Sequence, residues 1–178
     1  MIALDAAEAF LESHARLVER LVFAHVFRDA GVEPVLHVLQ GYQNEDGGFG
    51  HALEPDLRGP ESQPIHVDMA LRVLDSVGLA PPEIVARGCS YLQSVSSDVG
   101  GVPAILESAT KHARSAHWEL DAWPSSSLNP TAMIAGLLHS LGVGHPWLTP
   151  RTTSCGTDSP SRRRAAWKVR RSRPCSAS

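Results

Sequence analysis

The chain has 178 residues, 43% of them hydrophobic and 20% charged, which suffices for one packed core. With 6% aromatics, 14 Gly, 13 Pro and no apolar run near the ~18 residues of a membrane span, a membrane-embedded, collagenous or wholly disordered chain is excluded. The 16 Lys and Arg and 19 Asp and Glu are unevenly distributed: eight of the cations and only one of the acids, Asp158, lie in 151–178, so that stretch carries +7 and the body −10.

The opening segment, about Asp5 to Arg28, reads as one amphipathic helix, with Phe10, Leu11, His14, Leu17, Val18 and Leu21 recurring at spacings of three and four. Its acids Asp5, Glu8 and Glu12 stand where a signal peptide would need a basic and then unbroken apolar stretch, so a cytoplasmic chain is expected. Cys89, Cys155 and Cys175, odd in number and without a CxxC pair, fit that reducing setting and propose neither a disulfide framework nor a zinc knuckle. Gly31-Val32-Glu33-Pro34 predicts a turn, then a second helix from about Pro34 to Gln43.

Residues 67–78 (VDMALRVLDSVG) and 131–142 (TAMIAGLLHSLG) align without a gap at an offset of 64 positions, pairing Met69 with Met133, Leu74 with Leu138, Ser76 with Ser140 and Gly78 with Gly142. Each copy predicts a helix ended by a C′ glycine of positive φ, then a proline in the first turn of the next helix, which in the second unit runs over about 82–93. Equivalent faces should bring Leu71, Leu74, Val77, Leu137, Leu138 and Leu141 into one core. No alternation of apolar and polar residues is sustained, so the fold class is all-α, built of helical hairpins that must stack to bury their apolar faces. His14, His25, His37 and His139 sit at helix-face positions and read as partly buried histidines.

Tyr42-Gln43 before Asp46-Gly47-Gly48-Phe49, and Arg87-Gly88-Cys89-Ser90-Tyr91-Leu92-Gln93 before Gly100-Gly101, resemble the QW-type repeats of the terpenoid cyclase and protein prenyltransferase superfamily over residues 1–148. The resemblance implies an α/α toroid, here incomplete, with an apolar cavity for an isoprenoid-type substrate, and a motif Gln that ties a helix end to a neighbouring loop. It also implies motifs that the chain lacks: the D-x-D-D acid of the cyclases, the D-D-x-x-D of diphosphate binding through magnesium, and the D-x-C pairing of the zinc-dependent prenyltransferases. No cofactor is specified. The alternative is a non-catalytic helical-repeat module that binds a ligand or a protein.

Two constellations carry the candidate chemistry. In the loop His51-Ala52-Leu53-Glu54-Pro55-Asp56-Leu57-Arg58, Asp46, Glu54 and Asp56 are the candidate catalytic acids, with His51, Arg58 and His66 as substrate-binding partners and Asp68 close by. His51, Glu54 and Asp56 could also offer ligands to a divalent ion, although no metal is assigned. The plainer assignment is a turn announced by Pro55, Gly59 and Pro60, with Glu54 and Asp56 as cap residues paired with Arg58. In the linker, His112, His117, Trp118 and Trp123 offer imidazoles and indole faces, suited to a carbocation or, more simply, to plugging a seam; His117, Trp118 and Trp123 are taken as substrate-binding.

After Pro146-Trp147-Leu148 the composition turns to Ser, Thr and Arg, as an out-of-frame reading of a GC-rich gene would produce. Residues 149–178 are therefore expected to form a disordered basic tail, and the toroid to lack its closing helices. The partners expected are an apolar small molecule and, through uncovered helices, a second copy; the acidic body argues against nucleic acid.

Overall fold

The computed structural model describes residues 4–98, 100–119 and 126–149. These residues are all-α: α1 Leu4–His14, α2 Leu17–Arg28, α3 Glu33–Gln40, α4 Pro64–Val77, α5 Pro82–Ser94 and α6 Leu128–Ser140, with 3₁₀ turns at Glu107–Lys111 and Pro146–Leu148. No strand occurs among them; two isolated antiparallel bridges, Gln43 with Phe49 and Leu57 with Arg114, pin the loops. The predicted tail from Pro150 onward, and Trp123, lie outside the described residues.

The internal repeat is visible in the helix ends. Gly78 takes φ 68° and Gly142 φ 71°, the left-handed region open to glycine. Behind them the same pair of bonds recurs: Gly78 N–H to the Asp75 carbonyl at 3.1 Å and Leu79 N–H to that of Leu74 at 3.2 Å, then Gly142 N–H to His139 at 3.1 Å and Val143 N–H to Leu138 at 2.9 Å. Each set closes the orphan carbonyls of a helix end by a Schellman pattern. Between those ends, α4 packs on α6, and Ser140 Oγ donates to Asp75 Oδ1 at 2.9 Å. Leu71, Leu74 and Leu138 are buried in one cluster with Leu39, Phe49, Leu92 and Ile134, and Leu137 and Leu141 pack against it. Val77 is half-exposed and outside that cluster.

The first unit departs from expectation. The predicted helix over 5–28 is two helices, broken at Ala15–Arg16, where Arg16 turns extended with ψ 165°. Its guanidinium binds the Ala52 carbonyl at 2.7 Å, the Leu53 carbonyl at 3.1 Å and the Glu19 carboxylate, so a tertiary demand overrides the helical period there. The apolar stripe is consequently not a core stripe: α1 buries no residue, α2 buries only Val18, and Phe10 and Leu17 are 62% and 56% exposed. Asp29, with φ 54°, takes the left-handed position expected of Gly31. Of the histidines read as partly buried, His25 is half-buried with Nδ1 2.8 Å from the Ala30 carbonyl, whereas His14, His37 and His139 are exposed.

Candidate functional site

The loop from Gln43 to Gln63 is built by its own side chains. Gln43 Nε2 donates to the Gly47 carbonyl at 2.9 Å and to the Ile84 carbonyl of α5 at 3.0 Å, linking the chain after α3 to the next hairpin. Gly47, at φ 88°, lies so close to α5 that a Cβ there would stand 2.5 Å from the Arg87 carbonyl oxygen. Asp46 Oδ1 accepts from Gly48 N–H at 2.9 Å and Ser62 Oγ at 2.7 Å. Asn44 Nδ2 donates to the Pro60 carbonyl at 2.8 Å, and its Oδ1 accepts from His51 Nε2 at 2.9 Å. Asp46 and His51, expected in catalysis and binding, therefore act here as turn residues: Asp46 Oδ1 and His51 Nε2 are engaged in holding the loop together. Gln93, the second motif glutamine, is exposed and makes no such tie among the described residues.

A second polar group forms where this loop meets α2 and α4. Burial raises the Glu54 carboxyl above its ordinary pKa, with the charges of Asp56 and Asp68 adding to the effect and those of Arg16 and His117 opposing it. Asp68, on α4 and 2% exposed, is likewise raised by burial, against the pull of Arg72, whose Nε donates to Oδ2 at 2.6 Å; Oδ1 has no hydrogen-bond partner among the described residues. Asp56 is occupied differently: its Oδ1 accepts from Trp118 Nε1 at 2.6 Å, and its Oδ2 lies 3.4 Å from His117 Nε2. Trp118 is buried beside Leu57, Ile65 and Ile105, so it seals a seam with its indole N–H satisfied by the carboxylate.

Two expected partners stand elsewhere. Arg58 is exposed and joins the assembly through its backbone N–H, which donates to the Ala113 carbonyl at 2.9 Å; the arginine whose charge acts on Glu54 is Arg16. His66 is fully buried, its Nδ1 3.1 Å from the Phe49 carbonyl, and burial lowers its pKa to about 4 despite the carbonyls of Phe49 and Leu57. It is a neutral core histidine, not an anion-binding cation. His112 pairs with Glu61 at 2.7 Å. Among the described residues no three His, Cys, Asp or Glu converge as metal ligands, so the divalent-ion arrangement of His51, Glu54 and Asp56 is not assembled.

Two of the cavities bear on the candidate site. The interior void lined by Phe49, Leu71, Cys89 and Leu138 has a volume of only about 10 Å³, and burial there pushes the Cys89 thiol up to about 11. An open apolar groove of about 300 Å³ runs instead between α2 and α4, lined by Val18, Val22, Phe23, Phe27, Met69 and Val73, with Glu19, Arg72 and Ser76 among them. Arg16 pairs with Glu19 and Arg72 with Asp68, so the two ion pairs connect this groove to the Glu54 group. Arg16, Glu19 and Arg72 escaped the sequence reading. The i,i+3 spacing of Arg16 and Glu19 and the i,i+4 spacing of Asp68 and Arg72 were their local signals, while the carbonyls that Arg16 binds lie 36 and 37 residues away.

Comparison with models of known protein families, with curated proteins and with solved structures finds no match. No helix of the described residues is long and apolar enough to cross a membrane.

Proposed function

We propose that this chain is a terpenoid cyclase- and prenyltransferase-like toroid protein, and that it binds an isoprenoid-type apolar molecule in the groove between α2 and α4. The observation that carries this reading is the groove itself, about 300 Å³ and walled mainly by aliphatic and aromatic side chains. That volume is at the lower end of small-molecule sites. The toroid that the resemblance implies rings its cavity with inner helices, and we take α2, α4 and α6 as these, with α4 packed on both of the others. The Gln43 tie to Ile84 also matches what the QW-type resemblance implies. Glu54, whose carboxyl burial raises above its ordinary pKa, is the acid that chemistry on a bound molecule would draw on.

A second reading, a non-catalytic helical-repeat module, is favoured by the missing D-x-D-D, D-D-x-x-D and D-x-C motifs. Farnesol titrated into the folded protein tests the first claim: saturable binding is expected, and Val22→Asp, which places a charge in the groove wall, should weaken it by roughly ten-fold or more. A folded protein that binds no farnesol overturns the reading. Glu54→Gln separates the two versions. In an enzyme it abolishes turnover and spares farnesol binding, whereas in a binding module farnesol is recovered unchanged from the wild type.

A further inference from the structure

The charged residues of the α2–α4 groove are not equivalent. Glu19 is saturated, since Arg16 Nε donates to its two oxygens at 3.0 and 3.2 Å and Arg16 Nη2 contacts Oε1 as well. Arg72 engages Asp68 through Nε alone, and its two terminal nitrogens have no hydrogen-bond partner among the described residues. A guanidinium carries five N–H donors, so four remain beyond Nε, and one from each terminal nitrogen runs parallel along its planar end, as a carboxylate in a two-pronged pair requires. The remaining lining is apolar apart from Ser76, whose hydroxyl is committed to the Arg72 carbonyl at 2.8 Å. The Arg72 side chain lines the groove and is 45% accessible, so it stands open to solvent there.

We infer that the occupant of the groove is an apolar chain ending in a carboxylate, its chain along Val18, Val22, Phe23 and Val73 and its head group on the free edge of Arg72. The charge complementarity is local: one cation with donors to spare, no unpaired anion in the lining, and no second cation in the lining to suit a multiply charged head. This inference rests on the reading of the groove as a site for an apolar molecule, and it names the head group that distinguishes one such molecule from another.

The test compares farnesoate, farnesol and farnesylamine, one chain with three heads, by calorimetric titration of the full chain below the micellar range of each probe. Farnesoate is expected to bind roughly ten-fold more tightly than farnesol, as a charge-assisted pair allows, and farnesylamine no better than farnesol. Arg72→Gln should erase the farnesoate advantage, so that farnesoate and farnesol bind the variant with the same affinity. If leaving Asp68 buried without its partner unfolds that variant, the double substitution Asp68→Asn/Arg72→Gln replaces it. Equal affinity of the wild type for farnesoate and farnesol, or a preference for farnesylamine, overturns the head-group inference and leaves the apolar site standing. Failure of all three probes to bind removes the site itself.

Discussion

Helices α4 and α1 have similar lengths, 14 and 11 residues, and both carry apolar residues at helical spacing, yet α4 buries eight residues and α1 buries none. The difference is one of neighbours. Helix α4 packs against α2 on one side and α6 on the other, with Phe49 and the α5 residues Ile84, Val85 and Leu92 in the same cluster. Helix α1 has α2 as its principal neighbour, and exposed pairs of Arg28 with Asp5 and Glu8 help to tie the two together. Amphipathic periodicity thus records the capacity of a helix to be covered, and position in the row of repeats decides whether it is.

The largest expected effect tests the covered side. Leu74→Ala and Leu138→Ala, at equivalent positions of the repeat and both essentially unexposed, should each destabilise by ~2–5 kcal/mol in denaturant unfolding. The matching change at the other end, Phe10→Ala, should fall within about 0.5 kcal/mol, because an exposed side chain forfeits little packing. Comparable losses at Phe10 and Leu74 would dissolve the contrast between the two helices.

Next comes the buried imidazole of α4. His66 is neutral in the folded protein at a pKa of about 4, against an ordinary value near 6.5, so the unfolded chain binds its proton first. The stability this contributes is fully present above pH 6.5 and is lost as the pH falls towards 4, amounting to roughly 3 kcal/mol. Glu54 and Asp68, both raised by burial, act in the opposite sense, losing stability as the pH rises through their folded values. The His66 slope sets in as the pH falls through 6.5, so it is read from pH 6.5 to 5.5. His66→Gln, followed by thermal unfolding across that window, should flatten it; an unchanged slope would mean that His66 is accessible in the folded state.

Smaller, and confined to the loop that joins the first two hairpins, is the effect of Gly47→Ala. Its φ of 88° and the 2.5 Å approach to the Arg87 oxygen predict a loss of about 1–3 kcal/mol, with Gly78→Ala costing less because a Cβ there meets nothing within 4 Å. The ratio of the two losses, read from chemical denaturation, measures how tightly the Gln43 loop is seated on α5.

Much of the covered region is readable in the sequence because its determinants are local and repeated: the gapless 64-residue offset gives the helices, the two positive-φ glycines and the shared leucine core. The break at Arg16 is not, since its cause is the carbonyl pair of Ala52 and Leu53, contacts that no short window contains. The candidate site divides along the same line. Glu54 and Asp56 stand out as acids in a turn, and the structure gives each a distinct environment. Asp46, His51 and Arg58 share that composition but are used by the loop to hold itself, and composition alone does not separate the two uses. The groove joins residues 18–27 to residues 69–76, a pairing set wholly by packing of α2 on α4.

The most direct measurement of the proposed site is methyl NMR of the valine, leucine and methionine side chains during a farnesol titration. Shifts concentrated at Val18, Val22, Met69 and Val73, with Leu74 and Leu138 unmoved, are the expected result, because the groove is open and the interior void of about 10 Å³ admits no such molecule. Shifts centred on Leu74 and Leu138, or none at the groove at saturating farnesol, would contradict it.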